Sequence, residues 1–227
     1  MADILPLLQI CDSNFPNGAF SHSFGLETYV QEGKVVDKPT FAEWISAYIA
    51  EQLVYTDGLA FRLVYEALDR AEQEHVWAWD RMITVQSFPQ ETRDGSARMG
   101  QRLVQLGLEL YDSPVLAAYQ KRLKAQQSFG HPAIAFAIIA QYLHVPLPVA
   151  LLAYLHSCTA SLIQNGVRGI PLGQTDGQRL IQDMHAQLRQ AVKKIEALDE
   201  DEFGATSPGL ELSQMRHEQL HIRLFMS

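Results

Sequence analysis

Thr40–Tyr55, TFAEWISAYIAEQLVY, decides the fold class. Phe41, Trp44, Ile45, Tyr48, Ile49 and Leu53 recur at intervals of three and four, the spacing that lines up side chains on one face of an α-helix. Thr40 followed by Glu43, just past Pro39, has the form of a capping box, so a helix is predicted from about Thr40 to Tyr55. The same grammar extends outward. Ser87 and Gln90 repeat the box around Pro89, and Met99, Leu103 and Leu106 continue on one face. Leu180, Ile181, Met184, Leu188, Val192 and Ile195 mark a long helix to about Leu198. No stretch sustains the period-two alternation of a strand. The expectation is an all-α, single-domain helical bundle of about eight to ten helices.

Composition agrees with one globular core. The chain has 227 residues, of which 47% are hydrophobic, enough to bury most of its apolar surface. Its net charge is -8 and Lys and Arg form no dense stripe, so nucleic acid is not an expected partner. Two separated cysteines, Cys11 and Cys158, fit a reducing, cytoplasmic setting and read as small core residues. The N-terminus, MADILPLLQICD, carries an acid at Asp3, no basic segment and a break at Pro6, which does not suit a signal peptide. Residues 125–167 contain no Asp, Glu, Lys or Arg, yet Gly130, Pro132, Pro146 and Pro148 interrupt them and leave Ala133–Ala140 as the longest clean apolar run. That run is too short to span a bilayer and predicts two helices buried in protein, as core or at a subunit contact.

Three segments depart from plain helix grammar. After the long helix comes the acidic run Asp199–Glu202, then Gly204, Ser207, Pro208 and Gly209, which reads as a solvated linker. Beyond it Leu210, Leu212, Met215, Leu220, Ile222, Leu224 and Phe225 offer more apolar surface than a free tail exposes without cost. This divides the chain into a bundle, 1–203, and a C-terminal tail, 204–227, flexible when free and built for a partner. The tail also contains HEQLH, a match to the H-E-x-x-H of zinc hydrolases, with His217 and His221 as ligands and Glu218 as base. Zinc needs a third protein ligand, and nothing from Ile222 to Ser227 supplies one. The second segment is Asn14–Glu27, where Pro16, Asn17 and Gly18 make a turn and Ser21 or Ser23 caps the next helix. It lacks the spacing of a nucleophile elbow, and Glu27 reads as an exposed helix acid. The third is Arg168–Arg179, RGIPLGQTDGQR, whose glycines sit where one helix ends and another begins. It lacks the Gly-Lys-Ser/Thr of a phosphate loop, which leaves a polar, arginine-flanked loop for contact with another protein, or a bare connector.

Four blocks in this order, PNGAFSHSFGLE, ETRDGSARMGQRL, PLGQTDGQRL and MRHEQLHIRLFMS, resemble the urease accessory protein UreF family over nearly the whole chain, from about Leu7 to Ser227. The tail matches the family pattern at His217, Glu218, Arg223, Leu224, Phe225 and Ser227. His221 falls where the family usually has another residue, and His22 where it often has tyrosine. The resemblance implies a non-enzymatic, dimeric, all-α chaperone for nickel insertion into urease, with no cofactor, no metal site and no membrane partner of its own. It implies binding to UreD/UreH through Pro208, Met215, His217, Glu218, Arg223, Leu224 and Phe225. It further implies contact with the GTPase UreG through Arg168, Pro171, Leu172, Gly173, Gln174, Gly177 and Arg179, with Glu27 a lesser candidate. The assembled accessory proteins would then act on the urease apoprotein.

Overall fold

The computed structural model describes residues 4–227; Asp3, on which part of the N-terminal reading rests, lies outside them. Among the described residues there are helices and no strands. The opening stretch forms a helix longer than its periodicity predicts. Helix α3 (Lys38–Ala47) passes without a break into a π-helical segment, Tyr48–Gly58, and that into α4 (Leu59–Asp69). The capping box is real but begins three residues earlier: the Asp37 side chain accepts from Thr40 N at 3.0 Å, with Pro39 inside the first turn. Asp37 outcompetes Thr40 as cap because its carboxylate reaches the free N–H groups while Thr40 is already helical. Gly58 closes the π segment where Ile195 presses in; a Cβ there would come within 2.4 Å of that side chain.

The other rods are α1 (Leu5–Cys11), α2 (Leu26–Gln31), α5 (Gln73–Gln86), α6 (Gln90–Leu110), α7 (Pro114–Lys124), α8 (Pro132–Tyr142), α9 (Leu147–Gly169), α10 (Gln174–Ala197) and α11 (Pro208–His217). Counting α3 through α4 as one, these are ten among the described residues, an all-α bundle as expected.

The uncharged stretch is the centre of the molecule. Every residue from Ala133 to Ala140 is buried, because α8 threads between α4 and α6 with α9 behind it. Ala133, Ala137 and Ala140 share one face, whose small side chains let a neighbouring helix approach closely. Helix α9 is long and apolar enough to cross a membrane, and here it lies along α10, with Leu151, Leu155, Leu162 and Ile163 buried. Cys11 and Cys158 are unpaired thiols, and burial pushes the Cys11 thiol up to about 12.

The start of α8 is fixed by a buried acid. Asp80 of α5 has no exposed surface, and its carboxyl accepts the N–H groups of Phe129 (2.7 Å), Gly130 (3.2 Å) and His131 (3.1 Å) and the Tyr119 hydroxyl (2.5 Å). Burial, and then Asp80 beside it, holds the Tyr119 phenol well above its ordinary pKa. The α6–α8 crossing is tight enough to exclude a side chain: a Cβ on Gly100 would lie 1.9 Å from the Gly130 carbonyl oxygen. Gly130 itself has φ +96, the left-handed region that favours glycine.

Candidate functional site

The sequence motifs of the turn, the central block and the ending converge on one place. Helix α11 stops at His217, whose side chain is wholly buried. Its Nε2 lies 2.9 Å from Glu27 of α2 and its Nδ1 lies 2.9 Å from Glu91 of α6. Ionised carboxylates only accept hydrogen bonds, so this imidazole serves both acids fully when both of its nitrogens carry protons. Glu27 is therefore not the exposed helix acid its position suggests. It is buried, and its two oxygens also accept the N–H groups of Leu224 (2.6 Å) and Phe225 (3.1 Å).

Glu91 also pairs with Arg223, whose Nη1 lies at 2.5 Å. Burial alone would raise the Glu91 carboxyl, but hydrogen bonds from His217 and Arg223 outweigh it and hold the group below the usual carboxylate range. Glu218 does separate work. Its Oε1 accepts from Gln90 N (2.9 Å) and Glu91 N (3.3 Å), the first free donors of α6. The cap expected from Ser87 is thus supplied by the tail; Pro89 is the residue at the cap position and has no side-chain oxygen to offer.

The final residues close over the turn between α1 and α2. Met226 N donates to Ser21 O (2.8 Å), and the main-chain oxygen of Ser227 accepts Ser23 N (2.5 Å) and Ser23 Oγ (2.8 Å). Ser227 Oγ lies 2.8 Å from His22 Nδ1. Burial first, and then the charges of Arg98 and His217, lowers the His22 pKa to about 4, so this ring is neutral at pH 7. There is no space to spare around it: a Cβ on Gly95 would sit 2.6 Å from His22 Cε1. The helix after the turn begins at Gly25, φ +89, and Ser23 Oγ meets Glu27 N at 3.4 Å.

Phe225 joins the tail to the arginine-flanked loop. It is buried beneath Arg168, whose guanidinium carbon is 5.0 Å from the ring centroid. Arg168 also donates to Asn165 Oδ1 at 2.6 Å and to the Phe20 carbonyl. Gly173 is the cap residue of α10, and Gly177 packs against Val167. Pro171, Gly173, Gln174 and Arg179 face solvent, Leu172 is half-buried, and Arg179 pairs with Asp176 at 3.3 Å. Of the two arginines, Arg168 is committed within the chain, whereas Arg179 projects from the surface. On the tail, Pro208 and Met215 are exposed, as is Leu224.

This geometry removes the zinc-hydrolase alternative. The H-E-x-x-H arrangement needs both histidines on one face of a helix, and here the helix ends at the first. His217 spends both ring nitrogens on glutamates, Glu218 caps α6, and His221 lies exposed beyond the helix. Among the described residues no group of three or more His, Cys, Asp and Glu side chains is placed to hold a metal ion.

The UreF family model matches residues 35–185 of the chain. The chain belongs to the UreF family. It is 54% identical over 224 residues, 99% of its length and 98% of the relative's, to the protein named urease accessory protein UreF of Lachnoclostridium phytofermentans. It is 48% identical over 227 residues, the whole of both chains, to the protein of that name from Bacillus sp. strain TB-90. The family-model match stops before the tail, which the full-length match to the Bacillus protein includes. Sequence reasoning left the work of Glu27 unexplained and missed Glu91, His22 and Ser227 as parts of the constellation. One signal was available: Glu27 and Glu91 sit in two of the four blocks and His217 and Arg223 in a third, and opposite charges in separate blocks of one pattern invite pairing.

Proposed function

We propose that this chain is a urease accessory protein that works as a non-enzymatic adaptor in the cytoplasm. In this reading it acts as a homodimer, takes UreD/UreH on its tail and the GTPase UreG on the Arg168–Arg179 loop, and so couples GTP hydrolysis to nickel insertion into the urease apoprotein. The observation that carries the reading is how the tail divides its side chains. His217, Glu218, Arg223 and Phe225 are spent on holding the tail in place, while Leu212, Met215, Ile222, Leu224 and Met226 are left exposed. A segment with polar anchors inward and apolar side chains outward suits a protein partner rather than a substrate.

The family membership supports the urease setting, and the geometry supports two refinements. The tail residues proposed for UreD/UreH split into anchors, His217, Glu218, Arg223 and Phe225, and contact residues, Met215 and Leu224, with Pro208 opening α11. Within the loop, Arg179, Gln174, Gly173 and Pro171 are proposed to meet the GTPase, while Arg168, Leu172 and Gly177 shape that surface from behind. Glu27 acts through the tail rather than by touching UreG. The boundary at 203/204 marks the segment proposed to exchange between its own bundle and the partner.

The test is co-elution of purified variants with UreD/UreH and with UreG on a sizing column. Asp at both Ile222 and Leu224 should remove UreD/UreH while leaving the helical circular dichroism unchanged; undiminished co-elution would sink the tail assignment. Arg179→Ala should weaken UreG capture from the assembled complex without affecting UreD/UreH, and no change there would sink the loop assignment.

A further inference from the structure

Helices α9 and α10 run antiparallel away from the Arg168–Arg179 loop, and their register is set near its start. A Cβ on Gly177 would lie 2.8 Å from Val167 Cγ2 and 3.9 Å from Gln164 Nε2. Eight residues beyond Gln164 and Gly177, away from the loop, stand His156 and His185, so an equal rise per residue brings these two to one level. Their ring centroids are 5.9 Å apart, with the planes at 45°. Both line a groove of about 890 Å³ between the α9–α10 hairpin and the turn after α1, whose only charged walls, the histidines aside, are Asp12 and Arg179 among the described residues. Arg179 lies six residues from His185, about 9 Å along α10, and is already paired with Asp176. His22 and His217 spend ring nitrogens on other side chains, whereas neither His156 nor His185 makes a hydrogen bond within the described chain.

Burial first, and then His185 beside it, lowers the His156 pKa, so this ring is neutral at pH 7 with a lone pair to give. An imidazole nitrogen binds a transition metal at about 2.0–2.1 Å, which puts the ring centre roughly 3.2 Å from the ion. Two rings sharing one ion then stand roughly 4.5–6.4 Å apart for angles at the metal from about 90° to 180°. The observed separation falls inside that range. We propose that His156 and His185 bind one divalent transition-metal ion per chain across the α9–α10 hairpin, with the remaining coordination positions open to water or to a ligand from another molecule. Imidazole suits nickel, copper and zinc, whereas magnesium and calcium prefer oxygen. Two side chains are fewer than a resident zinc site uses, which suits an ion held for exchange rather than a permanent part of the protein. Both ligands sit well inside long helices and so on a rigid scaffold. That nickel is the ion met there rests on the urease reading; the site itself does not.

The experiment titrates Ni²⁺ alone into the untagged, full-length protein by calorimetry. His156→Gln, His185→Gln and the double variant probe the pair, and His221→Gln, at another exposed histidine, is the control. The expected result is one ion per chain, undisturbed by a hundredfold excess of Mg²⁺, with affinity lowered at least tenfold in either single variant and less than twofold in the control. Because both rings would share one ion, the double variant should lose little beyond either single one. Absence of binding, unchanged affinity in the single variants, or equal loss in the control each overturns the proposal. A second measurement needs no variant: in the wild-type protein, substoichiometric Ni²⁺, which is paramagnetic, should broaden the ring-proton NMR signals of His156 and His185 before those of His75, His144 and His221. Broadening of any of those three first would also overturn it. Both readouts use the chain alone, so their failure leaves the adaptor reading, which is tested on its partners, where it stands.

Discussion

Glu27→Gln tests the tail constellation most sharply, because it changes two atoms and almost no volume. The wild-type carboxylate accepts from His217 Nε2, Leu224 N and Phe225 N, in a pocket nearly closed to water. A glutamine keeps one acceptor and turns the other into an amide NH2 that faces donors. It also deletes one of the two acids paired with His217. Disrupting buried hydrogen bonds to an acceptor costs about 1–3 kcal/mol each, so with two or more of the three donors affected the loss is about 3–5 kcal/mol. That loss falls on tail docking, since all three donors belong to the tail. At about 1.4 kcal/mol per tenfold, the docking constant should drop by roughly 10² to 4 × 10³. Amide hydrogen exchange reads this directly. Protection of Leu224 and Phe225 should fall by about that factor, or to the fully open limit if docking is weaker than the loss. The Phe129 amide, bonded to Asp80 in the core, should keep its rate. Protection at 224 and 225 within threefold of wild type, in a folded protein, would refute the assignment of Glu27 as the tail's acceptor.

Two further outcomes follow from buried groups. Asp80→Ala leaves three N–H groups and the Tyr119 hydroxyl without their acceptor, and at about 1–3 kcal/mol per lost buried bond, eased by water entry, the loss should be about 4 kcal/mol. For a chain of this size that lowers Tm by about 10 °C, read by calorimetry, and a shift under about 3 °C would contradict the packing argument. Stability should also fall on acidification. Unfolded, His22 titrates near 6.5, and folded it titrates at about 4, so between those values only the unfolded chain holds the proton. The stabilisation is complete above pH 6.5 and is lost as pH falls toward 4, about 3 kcal/mol in all and about 2 kcal/mol between pH 7 and pH 5. Glu91, whose carboxyl is held below its ordinary value of 4.5, adds a loss in the same direction under that pH. Urea unfolding at the two pH values should show the decline and His22→Gln should flatten it; equal midpoints for the wild type would count against a neutral, buried ring.

Local features of the fold were legible in the sequence, and long-range ones were not. The apolar spacing of Phe41 to Leu53 and of Leu180 to Ile195 located helices correctly because periodicity is a property of neighbouring residues. The run Ala133–Ala140 foretold a buried rod for the same reason. Cap positions shifted where a competitor stood nearby, as Asp37 did for Thr40, or far off, as Glu218 did for Ser87. The π segment could not be read, because Tyr48, Ile49 and Leu53 keep the three- and four-residue spacing of an ordinary α-helix through it. Glu27 looked solvent-facing because every group that explains its burial lies about 190 or more positions further along the chain. The tail's two inward histidine bonds similarly became visible only when α2 and α6 were set beside each other.

The cap that Glu218 places on α6 also sets an order of events during synthesis. The acceptor follows its first donor by 128 positions in the chain. At roughly 5–20 residues per second, α6 waits on the order of ten seconds before that oxygen has been made. For that interval the leading turn of one of the longest helices is held by water alone, and the seam where α2, α6 and the turn will meet stands open. The start of α6 is thus completed by a residue made long after the helix itself.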